Sequence, residues 1–362
     1  MLNKLKVSAP GRICLFGEHQ DYLNLPVISC AISLRIAIEG IRRDDLFITL
    51  NLPDIRKQQS FLIEKKLPYV EERDYLRGVV NVLQRKGFTF SSGFDCDVRG
   101  NIPINAGTSS SSALIVTWVK FLTQMSDQSS ELSPEQIAKF AYQSEVLEFS
   151  EPGGMMDHYS SAIGGIIFLD FFPRMNFEKL SANLRSFVLG DSGEPKNTKY
   201  VLAQVKNQVI NIANLLVDKY PGFSLQTATV EKIKKYSSDL TDKQLELLEG
   251  TIRNHQITRK AKNILKKEPL DHRKIGKLLN EHQRILRDIL RISTPKIDKM
   301  IDVALEAGAY GAKINGSGGG GCMFAYAPEN PEKVVEEIEA VGGKGYIVSV
   351  GKGVSSDSSE SL

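Results

Sequence analysis

Cysteine is scarce and scattered: Cys14, Cys30, Cys96 and Cys322 are the four in 362 residues, and no two form a Cys-x-x-Cys pair. That excludes a zinc knuckle and a disulfide framework, and predicts buried, small apolar side chains in a reducing cytosol. No apolar stretch reaches the length of a membrane helix, and the start (Met1-Leu2-Asn3-Lys4-Leu5-Lys6) lacks the apolar region and cleavage site of a signal peptide. A cytoplasmic location without membrane association is therefore expected. Neither sign of charge dominates, with 46 basic against 43 acidic residues and a net charge of +3. Lacking a basic block, the chain gives no electrostatic reason to bind nucleic acid or an anionic membrane, and a small ligand is expected.

The chain does have room for a large core. A length of 362 residues with 41% hydrophobic and 25% charged content is that of a globular protein of two ordinary domains. Strand-like runs (Ile13 to Phe16, Val27 to Ile32, Ile36 to Ile41, Leu46 to Leu50) fill the first 50 residues. Ser133-Pro134-Glu135-Gln136 has Ser at the N-cap, Pro at the first helical position and Gln at the third, predicting a helix to about Phe149. From 198 to 291 the chain reads as helical, and the histidines there (His255, His272, His282) read as solvated helix faces. An α+β second half follows, closing with strands at Ala312 to Ile314, Cys322 to Ala327 and Tyr346 to Val350. Two domains are expected, 1–190 and 191–353, followed by a polar, disordered tail at 354–362.

Between the strand Phe94 to Val98 and the apolar run from Ala113 lies Pro103-Ile104-Asn105-Ala106-Gly107-Thr108-Ser109-Ser110-Ser111-Ser112. Small residues with free backbone N–H groups at a helix start suit a phosphate, because the first-turn amides and the helix dipole both favour an anion. The serine hydroxyls can ligate a hard cation such as Mg²⁺. A Ser-rich helix cap is the plainer alternative.

Three more segments carry chemistry. In Ala9-Pro10-Gly11-Arg12 through Gly17-Glu18-His19-Gln20-Asp21-Tyr22, a strand delivers Glu18, His19 and Asp21 into one loop, an array of donors and acceptors suited to sugar hydroxyls. A metal site there lacks ligands, with only one imidazole present. In Glu151-Pro152-Gly153-Gly154-Met155-Met156-Asp157-His158, an Asp flanked by Met and Gly is poorly placed as a solvated charge. Beside a substrate hydroxyl it can act as a base, with Arg12 as the partner that keeps it ionised, and Glu145 upstream can join a serine as a Mg²⁺ ligand. Asn315-Gly316-Ser317-Gly318-Gly319-Gly320-Gly321-Cys322 matches G-x-G-x-x-G by letter, yet a strand follows and the βαβ context is absent, which excludes a dinucleotide fold. Its glycines instead permit positive φ or close backbone approach.

These segments, in this order, resemble the GHMP kinases, and among them the galactokinases. The resemblance implies a two-domain α+β fold, the first domain like ribosomal protein S5 domain 2 and the second ferredoxin-like. It implies Asp157 as base with Arg12 beside it, and ATP phosphates cradled by Asn105, Ala106, Gly107, Thr108, Ser109, Ser110 and Ser111. Mg²⁺ would be held by Ser111 and Glu145, the sugar by Glu18, His19, Asp21, Gly154 and Tyr200, and the third motif would be Gly316, Gly318 and Gly319. The product would be a sugar 1-phosphate, made by a monomer or homodimer. Departures from the galactokinase pattern are Leu23-Asn24-Leu25 where glycines are usual, and His158 where Gln is usual. The stretch 195–199 is more like mevalonate kinases, which leaves a mevalonate kinase as the rival reading. A mevalonate carboxylate, however, would want a cation where the first motif offers Glu18 and Asp21, and those kinases usually carry Lys at the position of Arg12. A sensor that binds sugar and ATP without turnover is the non-enzymatic alternative.

Overall fold

The computed structural model describes residues 2–104, 106–195 and 198–357, with 198–204 described by backbone alone. The chain opens with two long strands, β1 (Lys4–Phe16) and β2 (Val27–Arg42), paired antiparallel. The runs expected as separate strands at Val27 to Ile32 and Ile36 to Ile41 are one strand. The Gly and Pro of the first motif are absorbed as register shifts, between Pro10 and Arg12 and between Cys14 and Phe16. After β3 (Phe47–Leu52) and β4 (Lys57–Leu62) come α1 (Tyr75–Arg85), β5 (Phe94–Gly100), α2 (Ser110–Met125), α3 (Pro134–Tyr142) and α4 (Met156–Ile163). Next are β6 (Ile166–Asp170), β7 (Asn176–Leu180) and β8 (Phe187–Asp191). The helical stretch is α5 (Thr198–Lys219), α6 (Val230–Ile233), α7 (Asp242–Leu265), α8 (His272–Arg284) and α9 (Pro295–Glu306). It leads to β9 (Gly311–Ile314), β10 (Cys322–Tyr326), α10 (Pro331–Ala340), β11 (Lys344–Val348) and β12 (Ser355–Asp357).

The strands form two sheets. The first has the order β12-β1-β2-β5-β3-β4, with β6 on the early half of β2 and β7 on β6. The second is antiparallel with the order β11-β8-β10-β9. Taken in chain order, its strands run β-α-β-β-α-β with the outer pair last and second, which is the ferredoxin-like topology. Helices α1 to α4 cover the first sheet through a core that includes Phe94, Trp118 and Phe121. A second core, from Phe16 and Phe168 to Phe187, Phe324 and Leu279, binds the two sheets together. Burying large aromatics on both sides of that seam fixes the relative position of the first motif and the glycine-rich third motif.

The tail departs from expectation. Ser355–Asp357 pair with Lys6 to Ser8 as β12, and Val350 and Lys352 bridge to Ile32 and Gly164. Arg35 fastens this return, donating from Nη1 to the Lys352 carbonyl at 2.7 Å and from Nη2 to that of Gly353 at 2.9 Å. A polar tail becomes ordered here because β1 offers an open edge whose backbone groups need partners. Residues 358–362 lie outside the described residues.

Candidate active site

The serine loop enters α2 at Ser110 with Ser109 at the N-cap, and no side chain caps the first turn. Those amides are left for an anion. Gly107 and Ser109 to Ser111 line a cavity of about 370 Å³ that Arg12, Asp21, Glu145, Asp157, Gly316 and Ser317 also line. Ala106 and Thr108 are buried beneath the loop, while Asn105 lies outside the described residues. The carbonyl of Gly107 ties three motifs together: it accepts from Arg12 Nη1 at 2.5 Å and from Asn315 Nδ2 at 2.9 Å. The same Asn315 side chain accepts from the Cys14 amide at 2.9 Å. Gly316 is needed there, because its φ is +79° and a Cβ would sit 2.9 Å from that carbonyl oxygen. Gly318 and Gly319 lie behind the cavity, braced on Ile292, whose carbonyl accepts from the Gly319 amide at 2.7 Å.

The register shift after Pro10 places buried Arg12 against Asp157, in the first turn of α4, with Nε donating to Oδ1 at 2.7 Å. Burial alone would push the Asp157 carboxyl up, but the Arg12 charge and hydrogen bond outweigh it and hold the group below the usual range. Asp21 goes the other way. Burial first, and then the negative charge of Asp157, push its carboxyl up to about 6. Gly154 makes that placement possible, since a Cβ there would lie 1.9 Å from Asp21 Oδ2. A ligand-free protein thus carries at neutral pH a carboxylate that the unfolded chain ionises more cheaply. The folded state binds the extra proton between about pH 4 and 6, so Asp21 costs stability as pH rises through that window. Asp21→Asn is expected to raise the melting temperature at about pH 8, and to change it little at about pH 4, where the folded Asp21 carboxyl is protonated and the unfolded one is only about half ionised. Thermal unfolding at the two pH values checks this; no gain at the higher pH would show that Asp21 is not strained.

Glu18 is tied into the protein at the cavity wall. Its carboxylate is 1% exposed, with Oε2 held by Lys313 Nζ at 2.6 Å and Oε1 by the Gly316 amide at 2.9 Å. Both oxygens accept from protein donors at the cavity wall, and each keeps a further lone pair that a ligand hydroxyl can use. His19 is also engaged, Nδ1 with the Tyr22 hydroxyl at 2.6 Å and Nε2 with the Ser317 carbonyl at 3.1 Å. The Ser317 hydroxyl is buried without a partner at the cavity wall. The side chain of Tyr200 lies outside the described residues.

Glu145 sits on a π-helical turn, Gln143–Leu147, that widens the end of α3, the kind of local distortion found at functional positions. The capping box expected at Ser133 and Gln136 is present and sets the start of that helix. His158 Nε2 meets Glu145 Oε2 at 2.7 Å. Oxygen donors on Glu145 and exposed Ser111 suit a hard cation, and the described residues hold no cluster of three acidic, His or Cys ligands.

The sequence reading also missed Arg73 and Tyr75, which line the cavity and, with Ser111, a neighbouring apolar pocket of about 140 Å³ walled by Leu52, Leu76, Leu114 and Ile115. The expectation of solvated histidines fails for two of three. His282 is fully buried and pushed far down by burial and then by Lys313, and His255 is pushed down to about 4 by burial and then by Arg259. His272 is half-buried, its Nδ1 2.5 Å from the Tyr326 hydroxyl.

The galactokinase galactose-binding signature matches residues 3–40, the GHMP kinases N terminal domain matches 74–165, and the GHMP kinases C terminal domain matches 261–344. The chain is a GHMP kinase. Mevalonate kinase of Pyrococcus furiosus is 28% identical to it over 358 residues, covering 96% of this chain and 97% of that one. Galactokinase of Haemophilus influenzae is 29% identical over 349 residues, covering 94% and 89%. Among solved structures, Lactococcus lactis galactokinase complexed with galactose superposes with a TM-score of 0.85 at 20% identity, covering 97% of this chain and 95% of that one. Methanococcus jannaschii mevalonate kinase gives a TM-score of 0.73 at 21% identity, covering 96% and 98%. These structures share the GHMP fold, and the kinase is a small-molecule phosphotransferase of a family that uses ATP as phosphoryl donor. No helix among the described residues is long and apolar enough to cross a membrane.

Proposed function

We propose that the kinase transfers the γ-phosphoryl group of ATP to the anomeric hydroxyl of galactose or a related hexose, yielding a sugar 1-phosphate. The observation that supports a sugar over a carboxylate-bearing acceptor is Asp21, a carboxyl aimed into the cavity beside Asp157. Sugar hydroxyls donate to such a group and relieve its strain. A substrate carboxylate would face two acids, with Arg12 already paired to Asp157 and Arg73 paired to Glu151 through two bonds of 2.8 Å. In this reading Asp157, kept ionised by Arg12, takes the proton from the acceptor hydroxyl. The free amides at the start of α2, with Ser109 and Ser110, hold the triphosphate in line, and the apolar pocket beside Ser111 takes the adenine. Ser111 and Glu145 would hold Mg²⁺, which when bound neutralises charge on the phosphate oxygens.

One observation favours the mevalonate reading. Lys206 reaches the cavity rim, donating to the Pro152 carbonyl at 3.3 Å and lying 5.4 Å from the Tyr22 ring centroid, where it could meet a carboxylate. ADP release with Mg-ATP, measured against galactose, N-acetylgalactosamine, galacturonate, glucose, arabinose, fucose and mevalonate, separates the two. Turnover on a galacto-configured sugar is expected. Turnover on mevalonate alone would overturn the reading of Asp21, and silence across the panel would point to a sensor or to an acceptor outside the panel.

A further inference from the structure

His158 follows the proposed base directly, yet it faces away from it chemically. Its ring is 1% exposed and its partner is the carboxylate of Glu145, itself 8% exposed, across 13 residues of chain. An ionised carboxylate only accepts, so Nε2 is the donor of that 2.7 Å bond. Among the described residues Nδ1 is buried with no hydrogen-bond partner, the bond to Glu145 is the ring's one hydrogen bond, and the ring packs edge-on to Tyr142 at 5.6 Å between centroids.

The consequence lies at Glu145. Its backbone is on the π turn Gln143–Leu147. His158 holds one carboxylate oxygen at the buried side, leaving the other for the cavity that Ser111 also lines. We propose that His158 is a positioning residue: by donating from Nε2 to Glu145 Oε2 it aims the remaining Glu145 oxygen at the divalent cation of the bound nucleotide. This rests on the reading of Glu145 and Ser111 as the cation-holding pair. It assigns to His158 the support that a carboxylate ligand generally draws from a hydrogen-bonded neighbour, and removing such support typically weakens metal affinity by about 10–100-fold.

The test uses the full-length kinase, ADP and Mn²⁺, with bound Mn²⁺ followed by the loss of the free-ion electron paramagnetic resonance signal. Four proteins are compared: unmutated, His158→Ala, His158→Gln and Glu145→Ala, each first shown to be folded by its thermal unfolding. His158→Ala is expected to weaken Mn²⁺ in the ADP complex by about tenfold, while metal-free ADP binding stays unchanged. His158→Gln, whose amide N–H can still donate to Glu145, is expected to restore most of the affinity. In turnover, the Mg²⁺ concentration for half-maximal rate should follow the same order.

If Glu145→Ala loses Mn²⁺ while His158→Ala keeps it, the role of His158 fails and the cation pair stands. If Glu145→Ala also binds Mn²⁺ like the unmutated protein, the reading of Glu145 fails and takes the proposal with it. Should His158→Gln lose as much as His158→Ala, ring packing rather than the donated hydrogen bond is what matters, and the proposal is again overturned.

Discussion

Replacing Asp157 with Asn is expected to lower kcat by about 10²–10⁴-fold, the usual worth of a positioned general base, while nucleotide binding is retained. Asn keeps the shape of the side chain and an oxygen for the Arg12 Nε–H, now 2.7 Å away, but cannot take a proton. Arg12 supports the same role from the other side. Burial would lift the Asp157 carboxyl, and the adjacent guanidinium is what keeps it ionised. Stopped-flow or steady-state ADP release, with calorimetry of nucleotide binding to the same variant, measures both halves. A fall smaller than about tenfold would mean that the base contributes little and that positioning and charge neutralisation carry the rate, as a loose phosphoryl-transfer transition state allows. A native protein with no turnover to lose would support a sensor or an acceptor not yet tested.

The parts of this site that were legible in the sequence are those whose backbone demands are written in residue type. Gly316 stands where only a residue without Cβ fits, and Ser109 to Ser111 stand at a helix start where small residues leave amides free. Arg12 and Asp157 were legible as a pair because a base in an apolar setting needs a cation to stay charged. The ion pair of Glu18 was not legible, for the opposite reason. Its partner, Lys313, lies 295 positions away, and a lysine in a short strand gives no sign that it will be buried. Nor does helical periodicity distinguish a histidine facing water from one facing a neighbouring sheet, so the burial of His282 and His255 came only with tertiary packing. The strand at Ser355–Asp357 was invisible because its pairing is supplied by the edge of β1 and not by its own composition.

Lys313→Met should destabilise the fold by about 3–5 kcal/mol, because it leaves Glu18 charged, buried and half-partnered. Lys313 is fully buried, and its three ammonium protons all have acceptors: Glu18 Oε2 at 2.6 Å, the Ile314 carbonyl at 2.8 Å and the Cys14 carbonyl at 3.0 Å. Glu18 in turn accepts from Gly316, so the pair joins β1 of the first sheet to β9 and the glycine loop of the second. Removing the cation therefore weakens the seam beneath the cavity as well as stranding a charge. In the double variant Glu18→Gln with Lys313→Met no charge is left behind, and Gln keeps an oxygen for the Gly316 amide. More than half of the loss is then expected to return, a coupling that urea denaturation of the two single variants and the double variant would measure as non-additivity. Additive losses would mean that Glu18 and Lys313 act separately. Glu18→Gln alone supplies a second check on function. If the carboxylate were a sugar ligand, the KM for the sugar would rise steeply. If the carboxylate serves only Lys313 and Gly316, the KM should stay within about threefold in the folded fraction of the variant, which is itself destabilised because the Lys313 ammonium loses its counter-charge.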